Sequence, residues 1–210
     1  MRQKYICQSH CPKVGYAYID TGAMYRAVTL FALQNGMIEN GMIDIPTLVV
    51  RLDDIHITFR RNIETGENET FLNETCVERD IRTIAISESV SEISAIKEVR
   101  KKLVSLQQAM GKDKAIVMDG RDIGTNVFPD ADIKIFMTAS PEVRTKRRND
   151  ELVQKGMAAS WDEIAQNLAK RDHIDQTREE SPLRQAPDAV VLDNSNMTPD
   201  EQMMWFEKLI

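Results

Sequence analysis

The sequence predicts an α/β protein with a doubly wound parallel sheet and helices on both faces of that sheet. Short apolar runs end in polar or charged residues, which is typical of parallel strands buried on both faces. Helical patterns separate these runs, so strands and helices alternate along the chain. The length of 210 residues suits one well-buried core with a small insertion.

The first strand is predicted over residues 16–20. A helix is predicted over 22–35, because Met24, Val28 and Phe31 recur on one helical face. Strand and helix together form the first unit of the alternation.

The next stretch reads as an insertion in the sheet. A short helix is predicted over 45–54, and alternating residues predict strands over 55–60 and around 70–72. The polar residues between these strands predict a hairpin, which is too small to be a domain. A helical region follows, capped by Thr83 and reaching about Gly111.

Three more strands follow from apolar runs, and three more helices follow from their caps. The strands are predicted over 115–119, 132–138 and 189–193, and the helices over 140–156, 160–173 and from 198 onward. Ser140 and Thr198 each precede a proline, and Ser160 precedes Glu163 by three positions. These are typical signals of helix N-termini.

Composition limits the function classes. The formal charge of −6 argues against a protein that binds nucleic acid polymers or membrane surfaces. No apolar run approaches membrane-spanning length, and the polar first residues predict no signal peptide. The cysteine count of three is odd, which favours a reducing compartment and predicts a cytoplasmic location.

Two stretches place charged residues directly after a predicted strand. Asp119, Arg121 and Asp122 follow one strand, and Asp20 follows another, with Arg26 one helical turn further on. In open α/β sheets ligands bind beyond the carboxyl ends of the strands, and charges placed there cost desolvation unless they are paired. A solvated turn is the alternative interpretation.

Clustered arginines are the second candidate feature, because several guanidinium groups together neutralise a phosphate dianion. Pairing with surface carboxylates is the alternative for each of them. The first group is Arg26 and the second is Arg121. The third is Arg171 together with Asp175 and Arg178. The fourth is Arg144, Arg147 and Arg148, which helical spacing puts on one face. That face is either solvated or part of a flap that closes on a polyphosphate.

The cysteine and histidine residues do not indicate a metal site. Cys7, His10 and Cys11 could contribute to a zinc site, but too few further ligands lie near them for the roughly four that zinc needs. No metal site is therefore predicted. Cys76 is expected to be a small buried or half-buried residue.

Several segments together resemble the bacterial cytidylate kinase (CMP/dCMP kinase) family. They are YAYIDTGAMYRAVTL, DIRT, VMDGRDIGTNVFPDADIKIFMTAS, RRNDELVQKG, KRD and SPLRQAPDAVVLDNS. The resemblance covers about residue 14 to the C-terminus. It implies the P-loop kinase fold, phosphoryl transfer from ATP to CMP or dCMP, Mg²⁺ carried by the nucleotide, and a cytoplasmic monomer. It also implies one domain over 14–210, with a nucleoside-monophosphate-binding insert at about 46–100 and a lid at about 141–160.

The resemblance also implies residue roles. Arg121 and the lid arginines Arg144, Arg147 and Arg148 match the residues of the family that act in catalysis. Thr21 and Arg26 match residues around the CMP phosphate, where Asp119 joins Arg121 at the strand end. Ser91, Arg100 and Asp122 match residues that read cytosine, and Arg171, Asp175 and Arg178 match those that contact ribose and phosphate.

The chain departs from the family at its start. The family opens with a strand and a Gly-rich loop ending in Gly-Lys-Ser/Thr, whose amides, lysine and hydroxyl hold ATP phosphates and magnesium. No such loop is present in the sequence. We therefore expect little or no kinase activity, and we expect strands beside the missing one to lack a ladder partner. A catalytically inactive CMP-binding protein and an unstable fragment are the alternatives.

Residues 1–13 match nothing in the family and admit a reading-frame explanation. One allowed back-translation of Met1 to Tyr5, read from its second base, gives Cys-Gly-Lys-Ser-Thr. The hypothesis is that residues 1–13 are a frame-shifted form of the Gly-rich loop, with its strand lost upstream of a false start. The DNA sequence across these codons decides it.

Overall fold

The structure is a computed structural model that describes residues 15–112, 115–154 and 156–209. The hypotheses about residues 1–13, namely the zinc ligands and the reading frame, lie outside the described residues. None of the described helices is both long enough and apolar enough to cross a membrane.

Strands and helices are interspersed along the chain, and several elements of one type follow each other directly. The strands are β1 (Ala17–Asp20), β2 (Ile38–Glu39), β3 (Met42–Ile43), β4 (Ile57–Arg61), β5 (Asn68–Leu72), β6 (Thr75–Cys76), β7 (Ile116–Asp119), β8 (Ile135–Thr138) and β9 (Val190–Asp193). The helices are α1 (Thr21–Gln34), α2 (Ile45–Val50), α3 (Ile84–Ala95), α4 (Lys97–Met110), α5 (Pro141–Gln154), α6 (Trp161–Thr177) and α7 (Pro199–Glu207). Short 3₁₀ turns cover Leu52–Asp54 and Asp80–Arg82, and a π turn covers Ile123–Val127.

Parallel strand pairs confirm the predicted α/β class. Strand β1 pairs with β7, and β8 pairs with β9, both in parallel. The register of the first pair sets Asp20 opposite Asp119. The polar residues that follow the two strands therefore meet at one edge, as expected for parallel neighbours.

We expected strands next to the missing first strand to lack a hydrogen-bonded partner on one side, and β7 and β8 can be compared with this expectation. Among the described residues, β7 pairs with β1 and β8 pairs with β9, and no further strand pairs with either. The side chains of β7 are half-buried, as are most of those of β8.

The main hydrophobic core surrounds α1, whose residues are buried along most of its length. The side chain of Asp20 caps this helix by accepting from the Ala23 amide at 3.2 Å. Met24 of α1, Ile93 of α3 and Leu103 of α4 are almost completely buried. Shortening such a side chain to alanine typically costs about 2–5 kcal/mol.

The predicted insertion is an antiparallel sheet of three strands, β4, β5 and β6. The hairpin of β4 and β5 is confirmed, whereas β6 and the small β2–β3 hairpin were not predicted, because strands of two residues carry no periodic pattern. The Asn68 amide donates to the Tyr18 carbonyl at 2.6 Å and so ties the insertion to β1. Cys76 lies exposed on β6, so the expectation of a buried or half-buried residue was wrong.

The helical region after Thr83 consists of two helices. It breaks at Ile96, which is extended (φ −69°, ψ 122°) and buried. Thr83 occupies the predicted N-cap position, but its side chain makes no capping hydrogen bond. Helix α6 ends four residues later than predicted, at Thr177, and so brings Asp175 onto its last turn. The predicted capping box at Ser160 is confirmed, and Thr198 forms a second one with Glu201.

Candidate functional site

The carboxyl ends of β1 and β7 meet where the Thr21 hydroxyl donates to the Asp119 carbonyl at 2.7 Å. Gly120 allows this approach. A Cβ atom added to Gly120 would lie 2.4 Å from Thr21 Oγ1 and 2.7 Å from Ile123 Cδ1. Only a residue without a side chain lets the segment after β7 come this close to the start of α1.

Arg100 of α4 and Asp122, which follows β7, form an ion pair beside this junction. Both side chains are almost completely buried, with 3% and 6% of their surface exposed. The guanidinium also donates to the Ser94 carbonyl at 3.1 Å, and its carbon lies 5.6 Å from the centroid of the Tyr25 ring. Burial raises the pKa of Tyr25 to about 12, opposed by the charge of Arg100. A guanidinium and a carboxylate side by side offer donors and acceptors to the edge of a planar ring.

Arg178 continues the row of charges from Asp122 towards the strand end. Its Nη2 atom lies 3.7 Å from Asp122 Oδ1, and its Nη1 atom donates to Asp175 Oδ1 at 3.0 Å. Asp175 Oδ2 accepts from Arg121 Nε, also at 3.0 Å. Burial and the charge of Arg100 lower the pKa of Arg178, whereas Asp175 raises it. Three guanidinium groups here share two carboxylates, so this row carries a net positive charge.

Arg26 lies where positive charges outnumber negative ones. Its guanidinium donates to neutral groups, the Ser87 hydroxyl at 3.1 Å and the Ile81 carbonyl at 3.4 Å. Burial lowers the pKa of Arg26 to about 9, and the charges of Arg171 and Arg82 add to this effect. Such crowding is unfavourable for the protein alone and is relieved when an anion binds.

Arg171 belongs to the same crowded region. Its Nε atom is buried without a hydrogen-bond partner among the described residues. Burial lowers the pKa of Arg171, and the charges of Arg121 and Arg148 lower it further while Asp175 raises it. Arg148 also lowers the pKa of Arg26. The positive charges of Arg148 and Arg171 therefore both act on Arg26.

The three arginines of α5 do not share one environment. Arg144 pairs with Asp172 of α6 at 2.6 Å. Arg147 instead donates to the side chain and carbonyl of Asn194, which follows β9, at 2.8 and 2.6 Å. Arg148 pairs with Glu151 on its own helix at 2.6 Å. Of the three, Arg148 is the one whose charge acts on both Arg26 and Arg171.

Ser91 is buried on α3, and its carbonyl accepts from the Ser94 hydroxyl at 2.8 Å. The carbonyl of Ser94 in turn accepts from Arg100. Ser91 therefore stands one hydrogen-bonded residue away from the Arg100–Asp122 pair.

Two residues outside the predicted set lie at the same edge of the sheet. The Arg82 guanidinium donates to Asp20 at 3.1 Å and to Glu78 at 2.6 Å. It thereby joins the insertion to the end of β1, and its charge acts on Arg26. The sequence analysis noted Asp20 as a charge at the end of a predicted strand but assigned it no role in the site. Arg82 lies 62 residues further along the chain, and no local pattern links the two.

Within the described ranges, no group of three or more His, Cys, Asp or Glu side chains could hold a metal ion. The carboxylates at this edge are engaged instead by guanidinium groups, as in the pairs Asp20–Arg82 and Asp175–Arg121.

Comparison with known proteins gives a consistent result. A family model described as cytidylate kinase matches residues 4–205. The match begins inside the segment 1–13 that the resemblance left unassigned. Cytidylate kinase of Parabacteroides distasonis is 58% identical over 193 residues, covering 92% of this chain and 84% of that protein. Cytidylate kinases of Bacteroides thetaiotaomicron (56% identical; 93% and 86% covered) and Flavobacterium psychrophilum (49%; 90% and 84%) are also similar.

Proposed function

This chain belongs to the cytidylate kinase family, and from that premise we propose which of its residues act when a phosphoryl group passes from ATP to CMP or dCMP. An oxygen of the CMP phosphate attacks the γ-phosphorus of ATP, the bond from that phosphorus to the β,γ-bridging oxygen breaks, and ADP leaves. Such transfer depends on positioning and charge neutralisation rather than on covalent chemistry by the protein.

The observation that carries the proposal is the crowding of Arg26 by Arg171 and Arg148. Burial and neighbouring positive charge hold the pKa of Arg26 near 9, and Arg171 keeps a buried Nε donor without a partner. A phosphate dianion supplies the missing charge and acceptors at once. We assign the CMP phosphate to this cluster, with Arg121 and Thr21 at its strand-end side.

The base and ribose fit the row of charges that leads away from this cluster. Arg100 and Asp122 offer a donor and an acceptor to the cytosine edge, with Ser91 close by. Asp175 and Arg178 lie between Asp122 and Arg121. We assign the ribose to them, because it connects the base to the phosphate. Charged side chains that are already held by one another lose little freedom when a ligand binds.

Two segments around the site are candidates for the nucleoside-monophosphate-binding insert and the lid. We propose that residues of about 46–100, which include β4–β6 and α3, form the nucleoside-monophosphate-binding insert. We propose that residues of about 141–160, which include α5, form the lid. Arg148 lies near the phosphate cluster already, whereas Arg144 and Arg147 must leave Asp172 and Asn194 to reach a bound nucleotide. Both parts belong to one kinase domain over 14–210.

ATP is the phosphate donor that the family uses, and we propose that Mg²⁺ arrives with the nucleotide. Magnesium is commonly bound through substrate phosphates and few protein carboxylates, and phosphate oxygens of the nucleotide would supply ligands here. Its contribution would be to neutralise phosphate charge. We also propose a monomer in the cytoplasm.

We further propose that a polypeptide of these 210 residues transfers phosphate poorly while it still binds CMP. No Gly-Lys-Ser or Gly-Lys-Thr occurs in the sequence, and the family holds ATP phosphates with that loop. The CMP cluster draws on residues from α1, α5 and α6, all within the described ranges. A CMP-binding protein without catalysis is the second candidate, and a fragment that does not fold stably is the third.

Calorimetric titration with CMP and ATP, beside an assay of ADP release, separates these possibilities. We expect CMP to bind, ATP to bind weakly or not at all, and turnover to be close to the background. Normal turnover with CMP would contradict the proposed impairment, and the absence of CMP binding would contradict the proposed site. A cooperative thermal unfolding transition, raised by CMP, excludes the unstable fragment.

A further inference from the structure

Asn126 contacts Asp122, the residue that we propose meets the base. It lies in the π turn Ile123–Val127, where the amides of Val127 and Phe128 donate to the carbonyls five residues earlier, at 3.3 and 2.7 Å. Such turns occur often at functional sites, because they turn side chains away from their usual direction. Here the Asn126 side chain faces back to Asp122, and its Nδ2 atom donates to Asp122 Oδ2 at 3.2 Å.

The two oxygens of Asp122 are therefore unequally occupied. Oδ2 accepts from Asn126 and from Arg100, which approach it from different elements. Oδ1 faces Arg178 at 3.7 Å, which is beyond hydrogen-bond distance. A carboxylate oxygen offers about two acceptor sites, so Oδ2 is filled and Oδ1 keeps acceptor capacity.

Arg100 alone would hold this carboxylate less firmly. Its Nη2 atom contacts Asp122 and its Nη1 atom is used by the Ser94 carbonyl, so the pair is not bidentate. The terminal torsion of an aspartate is soft, and a single contact leaves the plane of the carboxylate free to turn. The second donor, from Asn126, restricts that rotation.

We propose that Asn126 is a positioning residue that holds Asp122 Oδ1 towards the exocyclic amine of the pyrimidine, and so sets the preference for CMP over UMP. This inference rests on the proposed function, because it takes Asp122 as the group that meets the base. Cytosine presents an amine donor at this position, whereas uracil presents a carbonyl oxygen. An ionised carboxylate accepts from the first and repels the second.

The first test compares Asn126→Leu with the wild-type chain by calorimetric titration of CMP and UMP. Leucine keeps the branching of asparagine at Cγ, although it is larger, and it removes the donor. We expect the affinity for CMP to fall by about tenfold, the size of one hydrogen bond to a charged group, and the ratio of CMP to UMP affinity to fall with it.

Gln108→Met is the matched control. Gln108 of α4 donates to the Val127 carbonyl at 3.2 Å, so this variant also removes one amide donor to the π turn but leaves Asp122 untouched. We expect it to keep both the CMP affinity and the preference of the wild type. An equal loss in the control would mean that the integrity of the turn matters and would overturn the inference.

Asn126→Asp gives a readout that a purely structural role would not move. Two carboxylates then face each other, and one of them takes up a proton more readily. Once protonated, the new carboxyl donates to Asp122 Oδ2 as the amide did. The other charged or titratable groups near Asp122 are Arg100, Arg178, Asp175 and Tyr25. All four are unchanged in the wild-type comparison.

We expect the CMP affinity of Asn126→Asp, relative to wild type at the same pH, to recover as the pH falls from about 8 to about 5.5. If the ratio of the two CMP affinities does not change with pH, the inference is overturned. This measurement also tests the inference if Asn126→Leu fails to fold. Unchanged CMP affinity and preference in Asn126→Leu would overturn the inference alone. A wild-type chain that binds no CMP would overturn the proposed function and the inference together.

Discussion

The guanidinium of Arg100 donates to the carboxylate of Asp122, 22 residues further along the chain, and both side chains are almost completely buried. A buried ion pair is worth little against a well-packed apolar pair, but breaking one strands a charge in a poorly solvating environment. Removing one partner of this pair is therefore expected to cost stability.

Asp122→Ala is expected to lower the free energy of unfolding by about 3–5 kcal/mol, because Arg100 and Arg178 lose a shared carboxylate. Denaturant unfolding followed by circular dichroism measures the change. Asp53→Asn breaks an exposed pair with Lys102 and should change stability by about 1 kcal/mol or less. Similar losses in the two variants would show that the buried charges are solvated in the folded protein.

Arg26→Met separates stability from binding. The variant removes a crowded charge, so we expect the thermal unfolding temperature to stay the same or to rise. CMP affinity should drop by a factor of about 30 or more, which corresponds to about 2 kcal/mol or more. Arg51→Met, which removes an exposed pair with Asp54, is the control for binding. A clear loss of stability in Arg26→Met would contradict the view that this charge awaits an anion.

Gly120→Ala tests the close approach at the strand ends. The added Cβ would meet Thr21 Oγ1 at 2.4 Å, so we expect a loss of about 1–3 kcal/mol in unfolding free energy together with weaker CMP binding. Gly124→Ala meets only the flexible side chain of Lys134, at 3.1 Å, and should be tolerated better. Thermal melts with and without CMP compare the two variants, and equal effects would count against a special role for Gly120.

Tyr25 predicts a pH dependence of stability. Burial raises its pKa from 10.0 to about 12, so the folded state keeps the phenol proton after the unfolded state has released it. The stabilising contribution is complete below the unfolded pKa and is lost as the pH rises from about 10 to about 12, up to about 3 kcal/mol. Tyr25→Phe should lessen this alkaline loss in denaturant titrations at successive pH values. An identical alkaline profile in the variant would contradict the raised pKa.

Local signals in the sequence predicted much of the fold. Ser160 caps α6 as expected because its partner, Glu163, stands one helical turn away. Where such signals fail, contacts between distant residues are the cause. Helix α6 continues to Thr177, and Asp175 on its last turn accepts from Arg121, 54 residues away in the chain. No neighbouring residue in the sequence indicates that extension.

In the candidate site, too, the sequence predicted which residues belong but not which partners they contact. The arginines could be identified from their number and spacing, and their placement near parallel strand ends followed from the fold class. Their partners could not, since a guanidinium reaches whichever acceptor the packing brings within about 3 Å. Arg147 lies at Asn194, and Arg148 acts on Arg26, although the two arginines are adjacent in the sequence.

The sequence by itself determined the α/β class, the order of strands and helices and the resemblance to one kinase family, because periodicity, caps and motifs act over a few neighbouring residues. Only the tertiary structure decided that Asp122 is shared by Arg100, Arg178 and Asn126, and that Arg26 is crowded by Arg171. Electrostatic and hydrogen-bond energies depend on distances in space, and those distances arise when elements far apart in the chain pack together.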